Sequence, residues 1–460
     1  MTTHPDTQAA VADGYRPLPW LDTLLVVCVL TLTIAFPQLR SSGMFNIQAS
    51  TVVDSTSGSA LMQMVYGGSF LLAGYVFWHN QRLVLRSIRQ GGFMLPAMLL
   101  LLAASTLWSG YPEVTFKRAI QLAGLFLIGA LAALPGIRSA MLCTILRRAL
   151  TTMLALSMLM ALALPQYGVD VALDQAWQGI FWQKNTLGAA CAFCALVWLH
   201  TGCEGLCRPR TWMAGLLFSV FMLVMSKSST SLLVLVIAIG LYVAIRYLGV
   251  LQQAISAIAL LVLAVGVALG VHLFYTYTGH LPTWQDITSP LTAIVGKGSD
   301  LTGRTDIWRM LQLSIAQHPW LGTGYGAFWI GEGGPAQYIA DQIYWMPSQG
   351  HNGYLDLINE TGFVGLAMLA LLMLMHLHRL VRLARYDRGT AALHIGFLAM
   401  IAISNFSETY LFAGVAFQTC LFIYSCLIVA NTLAEHRLQA ARAARAPRAA
   451  MLSPRHDALA

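Results

Sequence analysis

The sequence predicts an all-α, polytopic integral membrane protein of about twelve transmembrane helices, with one large outer loop between helices nine and ten. Three observations predict it. Only 10% of the 460 residues are charged and 57% are hydrophobic, where a soluble domain carries about 25% charge. Apolar runs long enough to cross a bilayer recur along almost the whole chain, and the mean hydropathy is +0.65. The net charge of +8 is concentrated in alternate connections between those runs. A soluble α/β enzyme is thereby excluded.

Residues 1–18 are polar and contain Pro, and read as an inner tail. Trp20 to Phe36 is the first span, with no small-residue cleavage pattern after it, and reads as an uncleaved anchor. Further spans are expected near 60–78, 92–108, 119–134, 149–165, 185–201, 211–226, 231–246, 253–275, 357–377, 391–405 and 413–431. Segment 135–148 carries Arg138, Arg147 and Arg148 and reads as an interfacial connector. One membrane domain, 19–431, thus includes a large loop over 276–356, and a basic tail follows over 432–460.

With twelve spans both termini share one side. The connections and tails on that side hold nineteen of the twenty-seven Lys and Arg. Cationic loops mark the cytoplasmic face, so both termini are expected inside and the large loop outside. The Ala/Arg-rich tail is then topogenic and lipid-facing, and nucleic acid is not an expected partner. Eight cations face outward against that bias: Arg40, Lys117, Arg118, Lys184, Lys227, Lys297, Arg304 and Arg309. Some serve structure, and the set is a short list of anion ligands. Away from their ends the spans hold almost no Asp, Glu, Lys or Arg, and the two halves do not match. Both features argue against an ion-coupled carrier.

The eight Cys do not form a disulfide framework. Cys191 and Cys194 sit in a helix among Ala, Leu and Val, where small residues serve packing rather than redox or metal chemistry. No His/Asp cluster has metal-binding spacing, and no cofactor is expected.

The long polar stretch holds the chemistry. Ile307, Trp308, Leu311 and Ile315 recur at helical spacing, and Pro319 follows. Gly303 and Arg304 fall at that helix's N-terminus, where free N–H groups and the dipole favour an anion. Arg304 suits a phosphate, or a structural pairing with Asp300 or Asp306. Leu321 to Gly326 is Gly-rich but does not follow a strand, so a tight loop is expected rather than a nucleotide cradle. His351 stands just before the tenth span and is either a general base or a hydrogen-bonded structural group. Asn352 or Glu360 could fix its tautomer. Three outer loops add polar residues: Phe181 to Gly188 with Lys184 and Asn185, Ser226 to Ser231 with Lys227, and Asn405 to Glu408. Each could also be turn and cap chemistry, and Lys117 and Arg118 could simply snorkel.

These residues resemble the O-antigen ligase and polysaccharide polymerase superfamily of bacterial inner membranes. The superfamily's ligases carry His, Asn or a similar residue, nine residues, then Gly-x-x-Gly. Here these are His351, Asn352, Gly362 and Gly365. The family's large-loop Arg matches Arg304, with Trp308 four on. Lys184-Asn185, Asn405 and Glu408 resemble the ExoQ-like exopolysaccharide polymerase branch more than the ligases. A ligase's Arg after the seventh span has Ser229 in its place, with Lys227 nearby as a substitute cation.

The resemblance implies a GT-C-like membrane glycosyltransferase, metal-independent and inverting. Its donor is a sugar chain on undecaprenyl diphosphate and its acceptor a sugar hydroxyl. His351 and Arg304 would be catalytic. Lys184, Asn185, Lys227, Arg118, Asn352, Trp308 and Glu408 would bind substrate. A chain-length regulator and export machinery are implied partners. An O-antigen ligase acting on lipid A-core and a lipid-linked oligosaccharide flippase are the alternatives.

Overall fold

The computed structural model describes residues 18–39, 60–135, 137–171, 175–247 and 302–451. The expected span over 253–275 and the loop's first part through Leu301, with Lys297, lie outside the described residues, as does Arg40. The described chain is mostly helical. It opens with α1 (Trp20–Ala35), α2 (Ala60–His79), α3 (Gln81–Gly91), α4 (Met94–Ala104) and α5 (Pro112–Ala132). Next come α6 (Arg138–Ala163), α7 (Lys184–Cys203), α8 (Pro209–Met225) and α9 (Ser229–Tyr247). After the undescribed stretch follow α10 (Thr302–Gln317), α11 (Gln337–Ile343), α12 (Gly353–Leu383), α13 (Arg388–Ser404) and α14 (Phe417–Met451). Among the described residues seven helices are long and apolar enough to cross a membrane, or eight if a bent pair is one span.

Two helices centre the bundle. α7 is lined with Gly188, Ala189, Ala190, Ala192 and Ala195, whose small side chains let neighbours approach closely. It packs on α6, α8, α9 and α13. Cys191 and Cys194 are free and buried in this packing. α14 packs on α1, α3, α5, α12 and α13. Its residues Cys420 to Ala430 are buried almost without interruption.

Three expectations need correction. The connector expected over 135–148 is helical from Arg138 and continuous with the following span, because Leu142, Cys143, Ile145 and Leu146 give it a buried face. The span expected over 92–108 is one arm of a pair bent by 93° at Gly92. Its other arm, α3, is amphipathic: Val84 and Ser87 are buried, and Arg82, Arg86 and Arg89 lie on the exposed face. The helix of the last span does not stop near 431; α14 runs on to Met451, since no Gly stops it and Ala and Arg favour helix. The fold is also not wholly helical. A two-stranded antiparallel hairpin, β1 (Val169–Asp170) with β2 (Ala176–Trp177), follows α6.

The polar segment after α10 folds on a small core of its own, built from Ile307, Met310, Leu311, Phe328, Trp329, Ala336 and Ile339. It is keyed to α12 through a break. Gly362 has φ 68° and ψ −172° inside α12, a conformation essentially restricted to glycine. A Cβ there would collide with the Trp320 carbonyl. The break leaves helix carbonyls without intrahelical partners, and the Gly-rich loop supplies them: Thr323 N–H donates to Asn359 O at 2.9 Å and Gly324 N–H to Glu360 O at 3.0 Å. In return Phe363 N–H donates to Pro319 O at 2.8 Å. Leu321 to Gly326 is therefore a tight loop, as its sequence context indicates.

Candidate functional site

Glu408 is the point on which the site residues converge. It lies in the connection between α13 and α14, and its side chain is 4% exposed. Arg304, in the first turn of α10, donates from Nη2 to Glu408 Oε1 at 3.0 Å and from Nη1 to Ser407 O at 2.9 Å. Asn185, at the start of α7, donates to the same Oε1 at 3.0 Å. The other oxygen, Oε2, accepts from His351 Nδ1 at 2.9 Å and from Gln349 Nε2 at 2.7 Å. Four donors thus satisfy one buried carboxylate. Burial alone would push this carboxyl up, but the hydrogen bond from His351, the charges of His351 and Arg304, and the Asn185 amide hold it below its ordinary value.

His351 has φ 51°, a backbone conformation that non-glycine residues rarely adopt. Its neighbours hold it there. Asn352 caps α12, its side-chain oxygen accepting from Tyr354 N and Leu355 N. Gly353 N–H donates to Asn405 O at 2.8 Å, and a Cβ on Gly353 would strike the Asn405 amide. Asp356, in the first turn of α12, accepts from Gly350 N–H and from Trp329 Nε1, both at 2.9 Å, and from Thr409 Oγ1. Trp308 donates from its indole to Gly350 O at 2.7 Å. The loop before His351 is thus fastened at both ends.

This geometry reassigns several roles. The tautomer of His351 is set by Glu408, not by Asn352 or Glu360. An Nδ1–H pointed at a carboxylate leaves Nε2 as the basic nitrogen. Asn352 is a helix cap through its side-chain oxygen, and the Trp308 indole N–H is a tether. Asp300 lies outside the described residues, and Asp306 meets exposed Arg309 at 3.5 Å rather than Arg304. The partner of Arg304 is about one hundred residues away in sequence, which no local reading reveals.

The remaining candidates fall into two groups. The turn holding Lys227 abuts the site: Ser228 Oγ donates to Asn185 Oδ1 at 3.3 Å and to Ser231 Oγ at 3.0 Å. Lys184 begins α7, next to Asn185. Arg118 lies elsewhere, beneath Gly326, where it faces the electrostatic field of Glu360 and Tyr325. Gln349, Asp356 and Thr409 were not singled out from the sequence. The only hint was position, since Gln349 and Thr409 flank His351 and Glu408. At the same end of the bundle, a groove of about 650 Å³ is lined by Trp108, Tyr111, His318, Trp320 and Thr323.

Fold and site together define a multi-pass helical membrane protein with a buried Glu–His–Arg cluster at one end of its bundle. Residues 214–370, which include Arg304 and His351, match the O-Antigen ligase family. Over 273 residues the chain is 30% identical to the exopolysaccharide production protein ExoQ of Rhizobium meliloti (strain 1021). That alignment covers 57% of this chain and 59% of that protein, less than two thirds of its length. Over these parts of its length the chain is thus similar to O-antigen ligases and to an ExoQ protein.

Proposed function

We propose that the protein is a membrane glycosyltransferase that polymerises undecaprenyl-diphosphate-linked oligosaccharide repeats at the periplasmic face of the bacterial inner membrane. The observation that carries this reading is the single carboxylate, Glu408, that joins His351 to Arg304. A base and a fixed cation are what transfer from a lipid diphosphate requires. The acceptor hydroxyl gives its proton to His351 Nε2 as its oxygen bonds to the anomeric carbon. The bond from that carbon to the diphosphate breaks, and undecaprenyl diphosphate leaves with the electron pair. Arg304, with Lys184 and Lys227 near it, stabilises the charge that develops on the leaving group. Attack opposite that group inverts the anomeric centre. In this reading Glu408 orients His351 and stabilises its protonated form. The aromatic groove of Trp108, Tyr111 and Trp320 offers ring faces to sugars.

His351→Ala and Arg304→Ala in purified protein should each lower polymer formation by roughly 10²–10⁴-fold at normal protein level. Arg304→Lys should also be poor, since Lys lacks the planar fork. Activity should survive a chelator. Full activity of His351→Ala would remove the enzymatic reading and favour a flippase.

The match of 214–370 to the O-Antigen ligase family supports a second reading, transfer of the finished glycan to lipid A-core. A deletion strain separates the two. The polymerase reading expects single lipid-linked repeats to accumulate. Long lipid-linked chains that are made but never attached would establish the ligase.

A further inference from the structure

A second polar pocket lies at the other end of the bundle. Trp198 stands thirteen residues along α7 from Asn185, about 20 Å down the axis at about 1.5 Å per residue. Around it a pocket of about 350 Å³ is lined by Arg147, Arg148, Thr151 and Thr152 of α6, Trp198 of α7 and Thr211 of α8, with Cys207. No carboxylate lines it. The Arg147 guanidinium sits over the Trp198 ring at 5.2 Å. The Trp198 indole N–H is fixed by Thr151 Oγ1 at 3.0 Å. Trp198 is 8% exposed, so the platform under Arg147 is rigid rather than a surface side chain.

The placement of the two cations is unusual. Arg147 and Arg148 are the tenth and eleventh residues of α6, within a candidate span. They stand about 13 Å from its start at about 1.5 Å per residue. Topology needs cations at helix ends, and Arg138 already supplies one there. Two adjacent guanidiniums lining one pocket without a carboxylate repel each other unless something anionic meets them. Their lining partners are three Thr hydroxyls and an indole, which complement a phosphate diester and its polar substituents. A crevice between helices lined by Arg, Thr and Trp fits a headgroup rather than a soluble peptide.

We propose that this pocket binds the phosphate-bearing headgroup of an anionic phospholipid in the leaflet opposite the Glu408 cluster. Arg147, held by Trp198, and Arg148 contact the phosphate, and Thr151, Thr152 and Thr211 its hydroxyl-bearing part. The lipid locks α6, α7 and α8 together at that end. This site is independent of the transfer reaction and of the reading given to it above.

Native mass spectrometry of the full-length protein, released from micelles supplemented with phosphatidylglycerol or phosphatidylcholine, tests it. Wild-type protein should retain phosphatidylglycerol in preference. The Arg147→Gln/Arg148→Gln variant should lose that retention by roughly tenfold, as expected for two charge-assisted contacts. Arg148→Gln alone, on an exposed side chain that folding does not require, should lose part of it. Arg382→Gln/Arg385→Gln, exposed cations outside the pocket, should leave it unchanged. Equal retention of both lipids by wild type, or unchanged phosphatidylglycerol retention in Arg148→Gln and the double variant, overturns the proposal. Displacement of the lipid by inorganic phosphate would show a soluble-anion site and equally overturn the lipid assignment.

Discussion

Glu408 illustrates how one residue can draw the parts of a site together. Its carboxylate is buried, yet it accepts four hydrogen bonds from three segments. Replacing it with Gln keeps the shape but removes the charge that orients His351 and balances Arg304. Glu408→Gln should therefore lower transfer by roughly 10²-fold or more, and its pH profile should shift, which a merely structural role would not produce. Stability should also respond to acid in a stated direction. Because the folded Glu408 is held below its ordinary 4.5, its pairing contributes fully above that value. The contribution is lost as pH falls below 4.5 and through the lowered folded value. Thermal unfolding of wild type should thus weaken steeply on acidification below pH 4.5, and Glu408→Gln should flatten that dependence. Asn352→Ala tests the cap beneath His351; it should cost about 1 kcal/mol in unfolding experiments.

At the scale of elements, two devices set the frame. The first is the break in α12. Gly362→Ala puts a Cβ against the Trp320 carbonyl at a φ of 68°. It should destabilise by about 1–3 kcal/mol. It should also loosen the Gly-rich loop, seen as faster proteolysis between Pro319 and Gly326. The second is a chain of buried hydroxyls and imidazoles across four helices. Ser139 of α6 bonds His394 of α13 at 3.1 Å. Ser425 of α14 then bonds His394 at 2.8 Å and His376 of α12 at 3.0 Å. One hydroxyl serves two imidazoles, so Ser425→Ala strands one ring nitrogen of each, His394 keeping Ser139 on its other. The expected loss is about 1–3 kcal/mol per stranded group, and thermal melting in detergent would measure it. Ser425→Ala that melts like wild type would show that the chain adds nothing to stability.

Over the whole molecule, the cation distribution makes a prediction about orientation. Tyr344 is 94% exposed in the segment that precedes His351, and Arg385 is exposed in the turn between α12 and α13. A single Cys at each position in a Cys-free variant can be probed with an impermeant thiol reagent on intact cells. Tyr344→Cys should label and Arg385→Cys should not, since the cationic turn belongs inside. The reverse result would invert the proposed arrangement and move the Glu408 cluster to the cytoplasm.

By itself the sequence determined the class of molecule: apolar runs and confined cations admit only a multi-pass helical frame, because an unpaired backbone cannot stay in lipid outside helices or closed barrels. It also determined which residues to watch, since outward cations, His351 and the Lys184-Asn185 and Asn405–Glu408 phrases stood out against an apolar background. Which of them meet was decided only by tertiary structure. Arg304, Asn185 and His351 come from three distant segments, and nothing in their spacing names Glu408 as the common partner. The bend at Gly92 and the helical 138–148 segment were likewise settled by packing, which overrides local propensity when a buried face is available. Asn352 is a cap because α12 begins there, and Gly362 a hinge because a loop lies against it. A contact between segments depends on how they are packed in space, and a single sequence records only their order.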